Sequence, residues 1–240
     1  MTEQQQIIML KMPNSVELLR QMLINKKYLS DEAEVAMFSA PNSFELVKTY
    51  ISYYSLSEEA IDAMFEHKNS EEFLIVYIRK HPVSDNFQIK MMVHPSAKRL
   101  AMIYMENRYN RNALCEQAVR MMFALDNSTE LIATYVNNYL EYPSKCEYLL
   151  ERISSYPNAE IAAKFAIMYE NVFLTSAAQL EILKLKNAEE LIRLYIKEIG
   201  VSKKSYYAKK YPICDPFFEK MATMSDGAEL MKICIKYGLM

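Results

Sequence analysis

Three histidines, two of the four cysteines, two acidic clusters and one run of interleaved lysine and tyrosine are the residues of this 240-residue chain whose types could do chemistry. His67, His81 and His94 fall in one short span, and imidazoles that converge at roughly 2 Å on one ion would hold a metal. Cys115 and Cys146 could form a redox pair. The carboxylates of DEAE (31 to 34) and SEEA (57 to 60) could pass protons if a desolvated site held them. The run VSKKSYYAKKYP (201 to 212) supplies cations for phosphates and rings for bases, as a contact with single-stranded nucleic acid requires. No Ser-His-Asp, Cys-His, HExxH or glycine-rich signature can be assembled, so there is no catalytic, cofactor-binding or metal-binding residue set to name.

What positions these groups is a repeat. The segments NSVELLRQML (14 to 23), NSFELVKTYI (42 to 51), NSEEFLIVYI (69 to 78), SAKRLAMIYM (96 to 105), NSTELIATYV (127 to 136), PNAEIAAKFA (157 to 166), NAEELIRLYI (187 to 196) and DGAELMKICI (226 to 235) superpose without a gap. Their starts are 28, 27, 27, 31, 30, 30 and 39 residues apart, and a fixed period of this size marks stacked supersecondary units. The first column is Asn14, Asn42, Asn69, Ser96, Asn127, Asn187 or Asp226, all good N-caps, with Pro157 the departure. A glutamate three residues on (Glu17, Glu45, Glu72, Glu130, Glu160, Glu190, Glu229) predicts a capping box, and Arg99 breaks that column. Apolar residues at the fourth, fifth, eighth and ninth offsets give the stripe of a helix buried on one face, with Tyr50, Tyr77, Tyr104, Tyr135, Phe165 and Tyr195 aligned at the eighth.

A second helix follows each first one. Ser30 precedes DEAEVAMF, Ser57 precedes EEAIDAMF, Ser84 precedes DNFQIKMM, Ser144 precedes KCEYLL, and Asp215 with Pro216 opens FFEKMATM. Two helices in about 30 residues cannot bury their own apolar faces, so neighbours must stack into one continuous core. The predicted fold is therefore all-α: an α-α superhelix, or solenoid, of about seven helix-turn-helix repeats. It forms a single domain over 1 to 240, with repeats starting near 14, 42, 69, 96, 127, 157 and 187. Residues 1 to 13 are read as a polar N-terminal segment and 226 to 238 as a closing helix.

The pattern resembles the short two-helix repeats of the α-solenoid class. It is HEAT-like in size, and LSDEAEVAMF (29 to 38) and LSEEAIDAMF (56 to 65) are similar to the second helix of degenerate repeats found in uncharacterised bacterial proteins. The likeness spans residues 14 to 240. It implies a right-handed superhelix that serves as a binding scaffold, and it implies no particular ligand.

Within this frame the chemical candidates have bland alternatives. His67 and His94 share one column, and repeats about 10 Å apart keep them from sharing one ion, so surface histidines at helix ends are expected. Cys115 and Cys146 also share a column, with Ala33 and Ile61, as small side chains between packed helices would. First-turn carboxylates belong at the positive end of a helix and are normally wet. From 184 to 210 eight basic residues stand against three acidic ones, and Lys203, Lys204, Tyr206, Tyr207, Lys209 and Lys210 make either a nucleic-acid contact or a solvated face. Two readings also stand for EFLIVYI, LAMIYM and IAAKFAIM, which are apolar nearly all round. Either they are buried on every side, or Ile75, Val76, Met102 and Ile103 form an exposed patch that meets a partner helix or peptide.

Composition narrows the classes further. Glycine occurs three times, always beyond residue 199, which removes the loops that cradle phosphates in nucleotide-binding α/β enzymes. A net charge of −2 and a pI near 6.0 provide no global attraction to nucleic acid or anionic membrane. Scattered cysteines without CxxC, no leader-like start and no apolar run of about 18 residues lead us to expect a soluble cytoplasmic protein. The expected function is non-enzymatic binding of another protein or peptide, with nucleic acid as the alternative partner, no membrane and no cofactor.

Overall fold

The computed structural model describes residues 1–107, 114–139, 148–168, 174–201 and 212–239. All regular structure among them is helical. The helices are α1 (Glu3–Leu10), α2 (Ser15–Ile24), α3 (Asp31–Phe38), α4 (Ser43–Tyr50), α5 (Glu58–Glu66), α6 (Ser70–Lys80), α7 (Asp85–Val93), α8 (Ala97–Glu106), α9 (Glu116–Ala124) and α10 (Thr129–Tyr139). A 3₁₀ turn (Ile153–Ser155) follows, then α11 (Ala159–Met168), α12 (Ser176–Leu183), α13 (Ala188–Val201), α14 (Asp215–Ala222) and α15 (Gly227–Tyr237). None of these is long and apolar enough to cross a membrane.

The chain divides into two compact units, Met1–Ala118 and Val119–Met240. In the first unit α2, α4, α6 and α8 pack side by side in one row. In the other row α1 packs on α3 and α3 on α5, and consecutive helices pair across the rows. In the second unit α10, α11, α13 and α15 form one row, and the 3₁₀ turn, α12 and α14 the other. The first row in each unit is called the Asn row and the second the Ser row, after the residues that precede their helices. The repeat columns become the core. Leu46, Val47, Tyr50 and Ile51 are buried, as are Leu74, Tyr77 and Ile78, and Leu191, Ile192, Tyr195 and Ile196.

The Ser row starts as the sequence predicts at Ser30, Ser57 and Ser84, and Thr175, which the sequence reading passed over, starts its helix in the same way. Ser30, Ser57, Ser84 and Thr175 are extended, and their hydroxyls accept from the backbone N–H of Ala33, Ala60, Phe87 and Ala178. At α14 the cap is Cys214, which makes no side-chain bond, and Asp215 and Pro216 are the first two helical residues. Residue 144 lies outside the described residues. Residues 1 to 13, read from sequence as a polar segment, instead contain α1. Thr2 caps it with a complete capping box to Gln5, and it buries Met9 and Leu10 against α3. The helix repeats the Ser-row pattern: Met12-Pro13-Asn14-Ser15 ends it as Ala40-Pro41-Asn42-Ser43 ends α3.

The Asn row corrects the capping expectation. Asn14, Asn42, Asn69, Ser96 and Asp226 have φ between −95° and −106° with ψ between 13° and 33°, and none makes a side-chain capping bond. The chain arrives through a tight turn, and the first helical N–H is satisfied by a carbonyl three residues back. Ser15 donates to Met12, Ser43 to Ala40, Ser70 to His67, Ala97 to His94, Ala188 to Leu185 and Gly227 to Met224, at 2.9 to 3.2 Å. With that amide already bonded, an asparagine side chain has less to add. α8 starts the same way although Arg99 breaks its glutamate column. Gly227 shows how close the turn brings two helices, since a Cβ there would lie 2.3 Å from the Met221 carbonyl oxygen. The corresponding residues elsewhere are Ser15, Ser43, Ser70, Ala97, Ser128 and Ala188, all small, with Asn158 the exception.

Candidate functional site

On α6 one face buries Phe73, Leu74, Tyr77 and Ile78, and on the neighbouring α8 Leu100, Ala101, Tyr104 and Met105 are buried. The stripes leave Ile75 and Val76, and in the same columns one repeat on Met102 and Ile103, on the opposite side. All four are half-buried. Neither sequence reading holds in full: the residues are not enclosed on every side, and they do not stand free. Glu72, Arg79, Arg99 and Glu106 on the same two helices are exposed.

At the N-terminal ends of α6 and α8 lies a cleft of about 500 Å³ that reaches Ile75 and is lined by Lys68, Ser70, Glu71, His94 and Arg99. Its groups are bonded to one another. The Ser96 hydroxyl donates to the Glu71 carboxylate, Arg99 forms an ion pair with the same carboxylate, and His94 Nε2 lies 2.9 Å from Ser70 Oγ. The Ser96 hydroxyl, assisted by Arg99 and His94 and opposed by burial, holds Glu71 below the usual carboxylate range. Burial lowers His94, against the pull of Glu71.

A serine beside a histidine suggests a nucleophile and its base, and sequence spacing did not reveal this contact. The second ring nitrogen decides its chemistry. The Ser96 N–H donates to His94 Nδ1 at 3.0 Å, so the hydrogen sits on Nε2 and is given to Ser70. A base for Ser70 needs the opposite tautomer, with Nδ1–H donating to a carboxylate. His67 repeats the arrangement: its Nδ1 accepts from the Asn69 N–H at 3.0 Å, and burial together with Lys68 lowers it. His81 Nε2 donates to the Ile51 carbonyl at 2.5 Å. His67 and His94 thus secure their own turns and His81 ties its helix end to the preceding repeat, and among the described residues no three potential metal ligands come together.

Sequence reasoning missed a line of buried polar groups four residues after the Ser-row caps. Gln6, Glu34, Gln88 and Gln179 occupy it and are all buried, while Ile61, Val119 and Phe218 stand there after Ser57, Cys115 and Cys214. Their side chains accept from the backbone N–H of the next Ser-row cap position: Gln6 from Ser30 at 2.8 Å, Glu34 from Ser57 at 2.7 Å, Gln88 from Cys115 at 2.7 Å and Gln179 from Cys214 at 2.8 Å. The aligned tyrosines close the network. Tyr50 OH donates to Glu34 at 2.6 Å, Gln88 Nε2 donates to Tyr104 OH, and the Leu174 N–H donates to Tyr195 OH. Burial comes first in raising the Tyr50 and Tyr104 phenols, with the Glu34 bond adding to it at Tyr50, while Tyr104 is pushed up to about 12. Glu34 corrects the expectation for the DEAE cluster, because it is only 4% exposed while Asp31 and Glu32 are wet. The signal was present as the Gln/Glu column, but a single glutamate in a charged helix start reads as solvated.

Cys115 is half-buried, and Cys146 lies outside the described residues. So do Lys203, Lys204, Tyr206, Tyr207, Lys209 and Lys210. Of the basic residues just before them, Lys184 pairs with Glu181, and Arg193 Nε lies 2.9 and 3.0 Å from the Asp226 carboxylate. Compared with known proteins, the chain matches no family model, no curated protein and no solved structure.

Proposed function

We infer that the chain is a non-enzymatic binding scaffold and that its partner, another protein or peptide, is met by the exposed side of α6 and α8. The supporting observation is the four half-buried residues Ile75, Val76, Met102 and Ile103, in register on adjoining helices and flanked by Glu72, Arg79, Arg99 and Glu106. An apolar centre with a charged margin is the composition of a protein interface, and a methionine there adapts to the shape it meets. The same proposal includes a HEAT-like α-α superhelix running through both units. Its support is the gap-free alignment of repeat starts on both sides of residue 118. Small-angle scattering of an elongated particle agrees with it, and a compact profile overturns it.

The binding reading is tested with a photo-crosslinking side chain at position 76 or 103 in the native cell, compared between the parent and the Ile75→Glu, Met102→Glu double variant. A discrete adduct that disappears in a double variant with unchanged circular dichroism supports the patch. Identical adducts in both overturn it.

The interleaved cations and rings of residues 201 to 212 favour a second reading, binding of nucleic acid. Its support is thinner, because Lys184 and Arg193 nearby are already paired with Glu181 and Asp226. It requires affinity for single strands that falls steeply with salt and disappears when Lys203, Lys204, Lys209 and Lys210 become glutamate.

A further inference from the structure

A shallow cleft of about 530 Å³ opens where α3 and α5 begin. Three tyrosine rings, Tyr28, Tyr54 and Tyr50, line it together with the carboxylates of Asp31, Glu32 and Glu34. The rings run inward in sequence. Tyr28 is 69% exposed, Tyr54 is half-buried and Tyr50 is buried. Tyr28 meets Tyr54 edge-on with centroids 6.4 Å apart, and Tyr54 tilts against Tyr50 at 5.8 Å. Beneath them is Glu34, held by Tyr50 and the Ser57 N–H.

Every ionisable group lining the cleft is acidic or phenolic, with no lysine, arginine or histidine. Among the described residues none of the three carboxylates forms an ion pair, and no cation stacks on Tyr28 or Tyr54. On the adjoining α1, Glu3 lies against Glu32, which holds Glu3 above the usual carboxylate range by hydrogen bonding and repulsion. This side of the protein therefore carries carboxylates that no side-chain cation among the described residues pairs with, beside ring faces that attract positive charge.

The fold does not require this combination. Tyr50 and Glu34 belong to the columns that bond the turns, as Tyr104 and Gln88 do. Tyr28 and Tyr54 belong to no such column: one repeat later their positions hold Ser55 and His81, and Ile61 replaces Glu34. Of the group only Asp31 and Glu32, with Tyr50, have like residues one repeat on, in Glu58, Glu59 and Tyr77. A tyrosine with two thirds of its surface in water contributes little to a core.

The geometry points to this cleft as a receptor for a lysine or arginine side chain on a basic peptide segment of a partner protein, with the tyrosine rings around the cation and the carboxylates opposite its charge. This does not depend on the α6–α8 patch.

The test is fluorescence polarisation at low salt with a labelled eight-residue peptide of alternating lysine and serine, against the same peptide with glutamine for lysine. The intact protein is expected to bind the lysine peptide saturably and not the glutamine one. Tyr28→Ala, and separately Asp31→Asn with Glu32→Gln, are expected to weaken binding about 3- to 10-fold each. Glu219→Gln with Glu229→Gln removes equal charge from the second unit and should weaken binding less than either cleft variant. Tyr28 is exposed, so its variant should keep the parent's circular dichroism and melting temperature. Absence of saturable binding overturns the proposal. So does a Tyr28→Ala protein that binds as tightly as the parent, or a loss as large in the Glu219, Glu229 control, which would reduce the effect to diffuse attraction.

Discussion

The Ser row and the Asn row are headed by residues of the same capping class, yet their helices begin in different ways. Ser57 accepts from the N–H of Ala60 through its own hydroxyl, while Asn42 makes no capping bond and the first amide of its helix is bound by Ala40. What separates them is the approach of the chain. An extended approach leaves the first amides open and a side chain must close them, whereas a tight turn from the preceding helix brings a carbonyl with it. A residue type that suits a helix start does not say which group does the bonding.

The largest effect expected from disturbing the Ser row is at Gln179, which is fully buried. It accepts from the Cys214 N–H and donates to the Leu174 and Pro212 carbonyls at 3.0 and 2.9 Å. Gln179→Leu leaves those three groups without their partner and should cost about 2 to 4 kcal/mol in urea unfolding. The two kinds of start are compared directly by a pair of alanines. Ser57→Ala should cost about 1 kcal/mol and Asn42→Ala less than about 0.5 kcal/mol, and equal costs would show that the rows do not differ. The smallest change is expected from Glu34→Gln. The amide can accept from Ser57 and donate to Tyr50, as Gln88 does with Cys115 and Tyr104, so its unfolding midpoint should stay within about 1 kcal/mol of the parent.

Much of the fold was legible because it is written in long-period columns. The stripe through Leu46, Val47, Tyr50 and Ile51, and the serines at 30, 57 and 84, follow from helix geometry and local capping. The start of α1 escaped notice because three glutamines, Gln4 to Gln6, obscure its stripe, although the Pro13-Asn14-Ser15 exit repeats Pro41-Asn42-Ser43. The candidate site was less legible. Whether Ile75 and Met102 are enclosed depends on how closely neighbouring helices cover them, and a sequence records which residues share a face without recording how deep that face lies. Glu34, Tyr28 and Tyr54 meet through packing between repeats, which a column-by-column comparison does not display.

The buried polar line also has a direction. Gln6, Glu34, Gln88 and Gln179 each supply an acceptor to a helix start that comes later in the chain. In α1 the acceptor comes from within, since the Thr2 N–H is bound by Gln5 at 2.8 Å. Removing a later helix would leave side-chain acceptors, which water can satisfy, and at Gln179 also the amide donor now bound to the Pro212 carbonyl. Removing an earlier one would orphan a backbone donor at the start of its successor, so the array is built to tolerate shortening from its C-terminal side better than from its N-terminal side.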